Sequence, residues 1–227
     1  MINQKKRVSG TFLLIIINVF AFVAGMVLMT LFGENFFINF IALKPANIFA
    51  GQSLWTLITS MFMHAPGLIP FHLIVNMFVL FSLGSFCERI LGKKRFILFY
   101  LISGLVAGIM FVLLSYFFGN TDFGARIFGS PLTPAVGASG AIFAIAGLFM
   151  VLTPKLKFSI IFLPFWRVPA YIMIPVVLFG MWILTASFGA PVGNTAHFGG
   201  FLAGVVYAIY LRKKYSKKVT ALNRFIR

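Results

Sequence analysis

The sequence predicts an all-α polytopic membrane protein, a bundle of six transmembrane helices with a membrane-embedded first loop. Three observations carry this. Hydrophobic residues make up 61% of the chain and charged residues only 10%, with mean hydropathy +1.03, a balance that soluble domains do not show. Apolar runs of the ~20 residues that cross a bilayer recur along all 227 positions. Basic residues then gather in every second connection between those runs.

The first span is Thr11 to Phe32, behind a polar segment, residues 1–10, that carries Lys5, Lys6 and Arg7. A cleaved signal peptide also begins with basic residues, but this apolar run is too long for one, so an anchor is expected. Residues 33–69 are too apolar for a solvated loop and too interrupted for a span, and an element lying in the membrane interface fits them. The second span is expected over Pro70–Phe86 and the third over Phe96–Phe118. In the third, Gly104 and Gly108 have the spacing of close helix packing. The fourth is the run Pro134–Leu152. Pro164 and Pro169 interrupt a short apolar piece before the fifth, Ala170–Phe188. The sixth is Ala196–Tyr210, followed by a basic tail, residues 211–227. Residues 11–210 thus form one six-helix domain between two short cytoplasmic ends, with no further soluble domain expected.

This alternation puts 17 of the 19 Lys and Arg on one side, leaving Lys44 and Arg126 on the other. Both termini are therefore expected in the cytoplasm. The net charge of +16 would suggest nucleic acid in a soluble protein. Here it reports orientation and contact with anionic membrane lipids, and no nucleic-acid partner is expected. A single cysteine, Cys87, excludes an internal disulfide and a Cys-rich metal site.

Orientation turns the sequence into a depth map. The second, fourth and sixth spans all start from the outer side, and they start with His72, Ser139 and His197. Ser139 lies roughly 20 Å above the inner end of its helix, inside the membrane slab. Polar side chains at that depth are costly and tend to face a bundle interior or a water-filled cavity. Gly137-Ala138-Ser139-Gly140 removes bulk around a hydroxyl at a helix start, where free N–H groups favour negative charge. Such a site suits a serine nucleophile; small residues at a helix contact are the alternative. A neutral His197 imidazole can act as general base towards Ser139. Gly199, Gly200 and Gly204 give the sixth span a smooth face, so the fourth can come close. His72 and Asn76 share a helical face, and both can donate to an oxyanion. The only acids are Glu34, Glu88 and Asp122, none placed to orient His197, so a Ser–His dyad is read rather than a triad. No HExxH pattern occurs, and neither a metal nor a cofactor is expected.

In these motifs the chain resembles the rhomboid family of intramembrane serine proteases. Gly137-Ala138-Ser139-Gly140 resembles its GxSG. Ala196-His197-Phe198-Gly199-Gly200 with Gly204 resembles its AHxxGxxxG, and His72-Leu73-Ile74-Val75-Asn76 its HxxxN. Gly84 and Glu88-Arg89-Ile90-Leu91-Gly92 resemble the segment ending its second helix. The resemblance spans Thr11 to Tyr210. Two features depart from the family: Trp55-Thr56 stands where Trp-Arg is common, and His64 precedes His72 by an unusually long gap.

The resemblance implies that Ser139 is the nucleophile and His197 the base. It implies an oxyanion hole formed by His72, Asn76 and the Ser139 backbone N–H. The substrates would be transmembrane segments of other proteins, cut near their outer ends after a small residue. A segment is expected to approach laterally past the fifth span and the short loop Gly189–Thr195. The chain fits a prokaryotic plasma membrane. An inactive rhomboid-like protein that binds membrane clients is the alternative, though such a protein is expected to lack Ser139 or His197. A transporter or channel would want charged residues in mid-span, and these spans have none.

Overall fold

A chain this apolar can bury its backbone polar groups in lipid only within helices or a closed barrel, and its long continuous apolar runs select helices. The computed structural model describes residues 8–67, 70–160, 163–190 and 192–225. Lys5, Lys6, Arg7 and Arg227 of the two basic ends lie outside them. Six helices follow in order: α1 (Gly10–Phe32), α2 (Phe71–Leu91), α3 (Lys93–Phe118), α4 (Ser139–Leu152), α5 (Ala170–Phe188) and α6 (Asn194–Lys214). Of these, α1, α2, α3 and α5 are each long and apolar enough to cross a membrane. Their outer faces carry Phe20, Leu31, Phe71 and Ile183, all more than two-thirds exposed. Apolar faces that wide suit lipid rather than water. The protein is a multi-pass membrane protein of the all-α class.

The centre of the bundle is α4. Ala144, Ile145, Leu148 and Phe149 on it are fully buried. Helices α3, α5 and α6 surround it, and α6 packs along most of its length. At 14 residues α4 is too short to cross the ~30 Å apolar slab by itself. Its first residue, Ser139, is half-buried.

Helix α1 starts on two caps. The Ser9 hydroxyl accepts the Phe12 N–H at 3.0 Å. Glu88, near the end of α2, accepts from the Gly10 N–H at 2.6 Å and from the Thr11 N–H and hydroxyl at 2.8 Å each. A carboxylate at a helix N-terminus satisfies free donors and favours the dipole. This binds α1 to α2 and accounts for Glu88 far from Ser139.

Several boundaries differ from the sequence reading. Helix α4 begins at Ser139, not Pro134, because residues 134–137 run along the first loop and only Ala138, at φ −70° and ψ −12°, turns into the helix. Leu43 and Ala135 exchange both backbone hydrogen bonds at 2.9 Å, and the Gly137 N–H donates to the Ser60 carbonyl at 3.0 Å. Helix α2 continues past Phe86 to Leu91 and stops at Gly92, whose φ is +79°. Helix α3 begins at Lys93 rather than Phe96. Helix α6 runs on through Arg212, Lys213 and Lys214, cations that suit a helix C-terminus.

Between α4 and α5 the chain forms an antiparallel hairpin, β1 (Lys157–Ile160) and β2 (Leu163–Pro169), with Lys157 opposite Pro169. The tail folds into a short helix, α7 (Ser216–Phe225). The first loop is a chain of short helical pieces, including Pro45–Phe49, Thr56–Thr59 and Ser60–Phe62. The glycine pair of α3 packs mainly against this loop. A Cβ at Gly104 would collide with Met61, and one at Gly108 would meet Leu43 at 3.3 Å.

Candidate active site

The helix that starts at Ser139 leaves its first donors free. The Ile142 N–H is the first to bond inside α4, to the Ala138 carbonyl at 3.1 Å. The N–H groups of Ser139, Gly140 and Ala141 therefore have no intrahelical partner. The Ser139 side chain is half-buried at this helix start.

His197 sits in the first turn of α6, buried at 7% exposure. Its Nε2 lies 2.8 Å from Ser139 Oγ. In the tautomer with hydrogen on Nδ1, Nε2 accepts the hydroxyl proton. The Phe143 ring stacks on the imidazole, with centroids 4.6 Å apart and planes at 28°. No carboxylate hydrogen-bonds this histidine among the described residues.

Glycines make this contact possible. A Cβ at Gly200 would overlap the Gly140 carbonyl, and one at Gly204 the Ala144 carbonyl. Gly147 on α4 answers from the other side, against the Phe201 carbonyl. Backbone thus meets backbone along the α4–α6 crossing. Gly140 itself faces α3, where a Cβ would stand 2.7 Å from that of Ala107. Gly199 serves the α3 contact too, where a Cβ would meet that of Met110 at 2.6 Å. The smooth face read for α6 therefore divides between two neighbours.

His72 and Asn76 lie on the first two turns of α2. The Ala65 N–H donates to His72 Nδ1 at 3.4 Å, which leaves the ring hydrogen on Nε2. That nitrogen faces Gly137. A Cβ on Gly137 would stand 3.1 Å from His72 Nε2 and 3.7 Å from Ser139 Oγ. Because Gly137 has none, and sits at φ +133° where side chains are strained, a small space stays open between the two groups. Asn76 is buried, and its Nδ2 donates one hydrogen to the His72 carbonyl at 2.8 Å, leaving a second.

The sequence reading missed three supports. His64 is buried and packs edge-on against His72, with ring centroids 5.1 Å apart. Burial, and then the neighbouring His72, push its imidazole down to about 4, so it stays neutral. The first-loop carbonyl of Ser60 holds Gly137. Phe143, the third, was legible, since it follows Ser139 by four residues and shares its helical face.

The sequence that folds this way has counterparts among known proteins. The family model for the Rhomboid domain matches residues 51–214. Rhomboid-like protease 3 of Toxoplasma gondii is 28% identical over 194 residues, 82% of this chain and 60% of that protein. RHOMBOID-like protein 12, mitochondrial, of Arabidopsis thaliana is 30% identical over 196 residues, 84% of this chain and 56% of that protein. Presenilin-associated rhomboid-like protein, mitochondrial, of Mus musculus is 31% identical over 145 residues, 62% of this chain and 34% of that protein. The chain thus spans between 34% and 60% of the length of these relatives. The matched region takes in α2 to α6 whole, with His72, Asn76, Ser139 and His197 on them. By that match, the chain belongs to the rhomboid family.

Proposed function

We propose that this protein is an intramembrane serine endopeptidase that cuts transmembrane segments of other proteins with a Ser139–His197 dyad. The 2.8 Å contact between His197 Nε2 and Ser139 Oγ carries the reading. A similar relative bears the word protease in its name.

In this reading Ser139 Oγ attacks the scissile carbonyl while His197 Nε2 takes the hydroxyl proton. The tetrahedral oxyanion gathers donors from His72 Nε2–H, the second hydrogen of Asn76 Nδ2 and the Ser139 N–H. The imidazolium, stacked on Phe143, gives its proton to the leaving amine. A water then gives a proton to His197 and attacks the acyl ester, which regenerates Ser139.

The substrate follows from the depth of the site. A helical segment hides its carbonyls in its own hydrogen bonds, so it must unwind before attack. Gly, Pro or polar residues near its outer end favour that. The basic residues, gathered in every second connection, support cytoplasmic termini; two of the similar proteins are mitochondrial.

Lateral access past α5 is supported by how that helix is held. Its buried residues, Ala170, Ile174 and Leu178, all lie in the half next to β2. The other half is tied by two hydrogen bonds. Trp182 Nε1 donates to the Ile127 carbonyl at 2.8 Å, and Asn194 Nδ2 donates to Thr185 Oγ1 at 2.7 Å. A disulfide locking α2 to α5 is expected to abolish segment cleavage and to restore it on reduction. Cleavage unchanged by the lock would contradict this route.

The function itself is tested in proteoliposomes. A single-span protein with Gly and Pro near the outer end of its segment is expected to be cut by the wild type and not by Ser139→Ala. A wild type that cross-links to the segment without cutting it would instead be a client-binding protein.

A further inference from the structure

At the end of the bundle opposite Ser139, the structure holds a cavity of 490 Å³ that the dyad does not use. Three cations line it from three elements: Lys155 just after α4, Arg212 at the end of α6 and Arg224 on α7. Ser216 and Thr220 add hydroxyl donors, while both amide hydrogens of Asn223 are spent on the Leu152 and Val219 carbonyls. No carboxylate pairs with any of these cations among the described residues. The chain's three acids lie elsewhere, with Glu88 on the start of α1 and Glu34 and Asp122 in connections towards the other end. All three cations are exposed, and together they set a positive potential over one hollow that attracts an anion.

The hollow has a second character. Val151 and Val219 form an apolar wall beside the cations. Helix α7 lies over it, tied down where Asn223 Nδ2 donates to the Leu152 carbonyl, the last residue of α4, at 2.6 Å. Helix α7 sets apolar Val219 inward while Lys217 and Lys218 stay exposed, the pattern of a helix lying in a membrane interface.

We propose that this cavity binds the phosphate of an anionic phospholipid headgroup. Arg212 and Arg224 would chelate the phosphate oxygens and Lys155 would add a point charge. Ser216 and Thr220 would donate to the remaining oxygens, and the valines would meet the glycerol and upper acyl carbons. The bound lipid would clamp α7 to the end of α4, the helix that carries Ser139. The wall of valines favours a lipid over a free phosphate, which has no apolar part to place there.

Native mass spectrometry of the full chain in a neutral detergent tests this, with phosphatidylglycerol and phosphatidylcholine as probes. The wild type is expected to retain one phosphatidylglycerol in preference to phosphatidylcholine. The variant Lys155→Gln/Arg212→Gln/Arg224→Gln is expected to weaken that retention roughly a hundredfold, each basic residue contributing about fivefold. A control with equal charge loss outside the cavity, Lys94→Gln/Lys213→Gln/Lys218→Gln, is expected to retain the lipid as the wild type does. Equal loss in both variants would reduce the effect to general charge and overturn the proposal. Displacement of the lipid by inorganic pyrophosphate at similar concentration would assign the site to a soluble phosphate and overturn the lipid source. Thermal unfolding of each variant checks that the fold persists.

Discussion

His197→Ala is expected to slow cleavage of a reconstituted transmembrane segment by about 10⁴-fold or more, and Ser139→Ala by a similar factor. The two side chains meet at 2.8 Å, so each is useless without the other. A hydroxyl without a base stays protonated, and a base without a hydroxyl has nothing to activate. The double variant is therefore expected to be no slower than either single one. Losses that multiply in the double variant would mean that the residues act separately. Cleavage kinetics in proteoliposomes measures all three rates, with thermal unfolding as a check on folding.

Gly200→Val has the largest expected effect on stability. Any Cβ there overlaps the Gly140 carbonyl, and neither backbone can move aside without opening the α4–α6 crossing. The cost is expected to exceed about 4 kcal/mol, in the range of severe backbone clashes. What remains folded should have lost the contact between Ser139 and His197. Gly180 on α5 gives the comparison, since a Cβ there meets nothing within 4 Å. Gly180→Ala is expected to be neutral or to stabilise by roughly 0.5–1 kcal/mol through helix propensity. Thermal unfolding in detergent separates the two. A Gly200→Val protein as stable as the wild type would contradict the close crossing.

The site was more legible in the sequence than the local structure around it. Burying a polar group in lipid is costly, so His72, Asn76, Ser139 and His197 stood out against apolar spans. Small residues at i and i+4 in α6 announced a close neighbour, and Gly200 and Gly204 meet α4 as read. Lipid-facing and core-facing sides are equally apolar, however, so hydropathy could not tell where Pro134–Leu152 becomes helical. Bonds from Leu43 and Ser60, distant in sequence, hold Ala135 and Gly137 against the first loop. The hairpin after α4 was hidden for a related reason, as an apolar stretch broken by prolines reads alike as a loop or as strands. Nor could spacing show that His64 packs on His72, since the chain between them has no regular period. The apolar run of the second span gives out at Phe86, so hydropathy alone stopped α2 short of Leu91, whereas Glu88 continues the helix and holds the start of α1.

The central claim is that Ser139 is an activated nucleophile. Labelling of the purified protein with a fluorophosphonate probe tests it without knowledge of a substrate. The expected result is a labelled wild type, with the adduct mapped by mass spectrometry to Ser139, and no labelling of Ser139→Ala or His197→Ala. A folded wild type that stays unlabelled in both detergent and lipid bilayers, or a label that survives in Ser139→Ala, would contradict it.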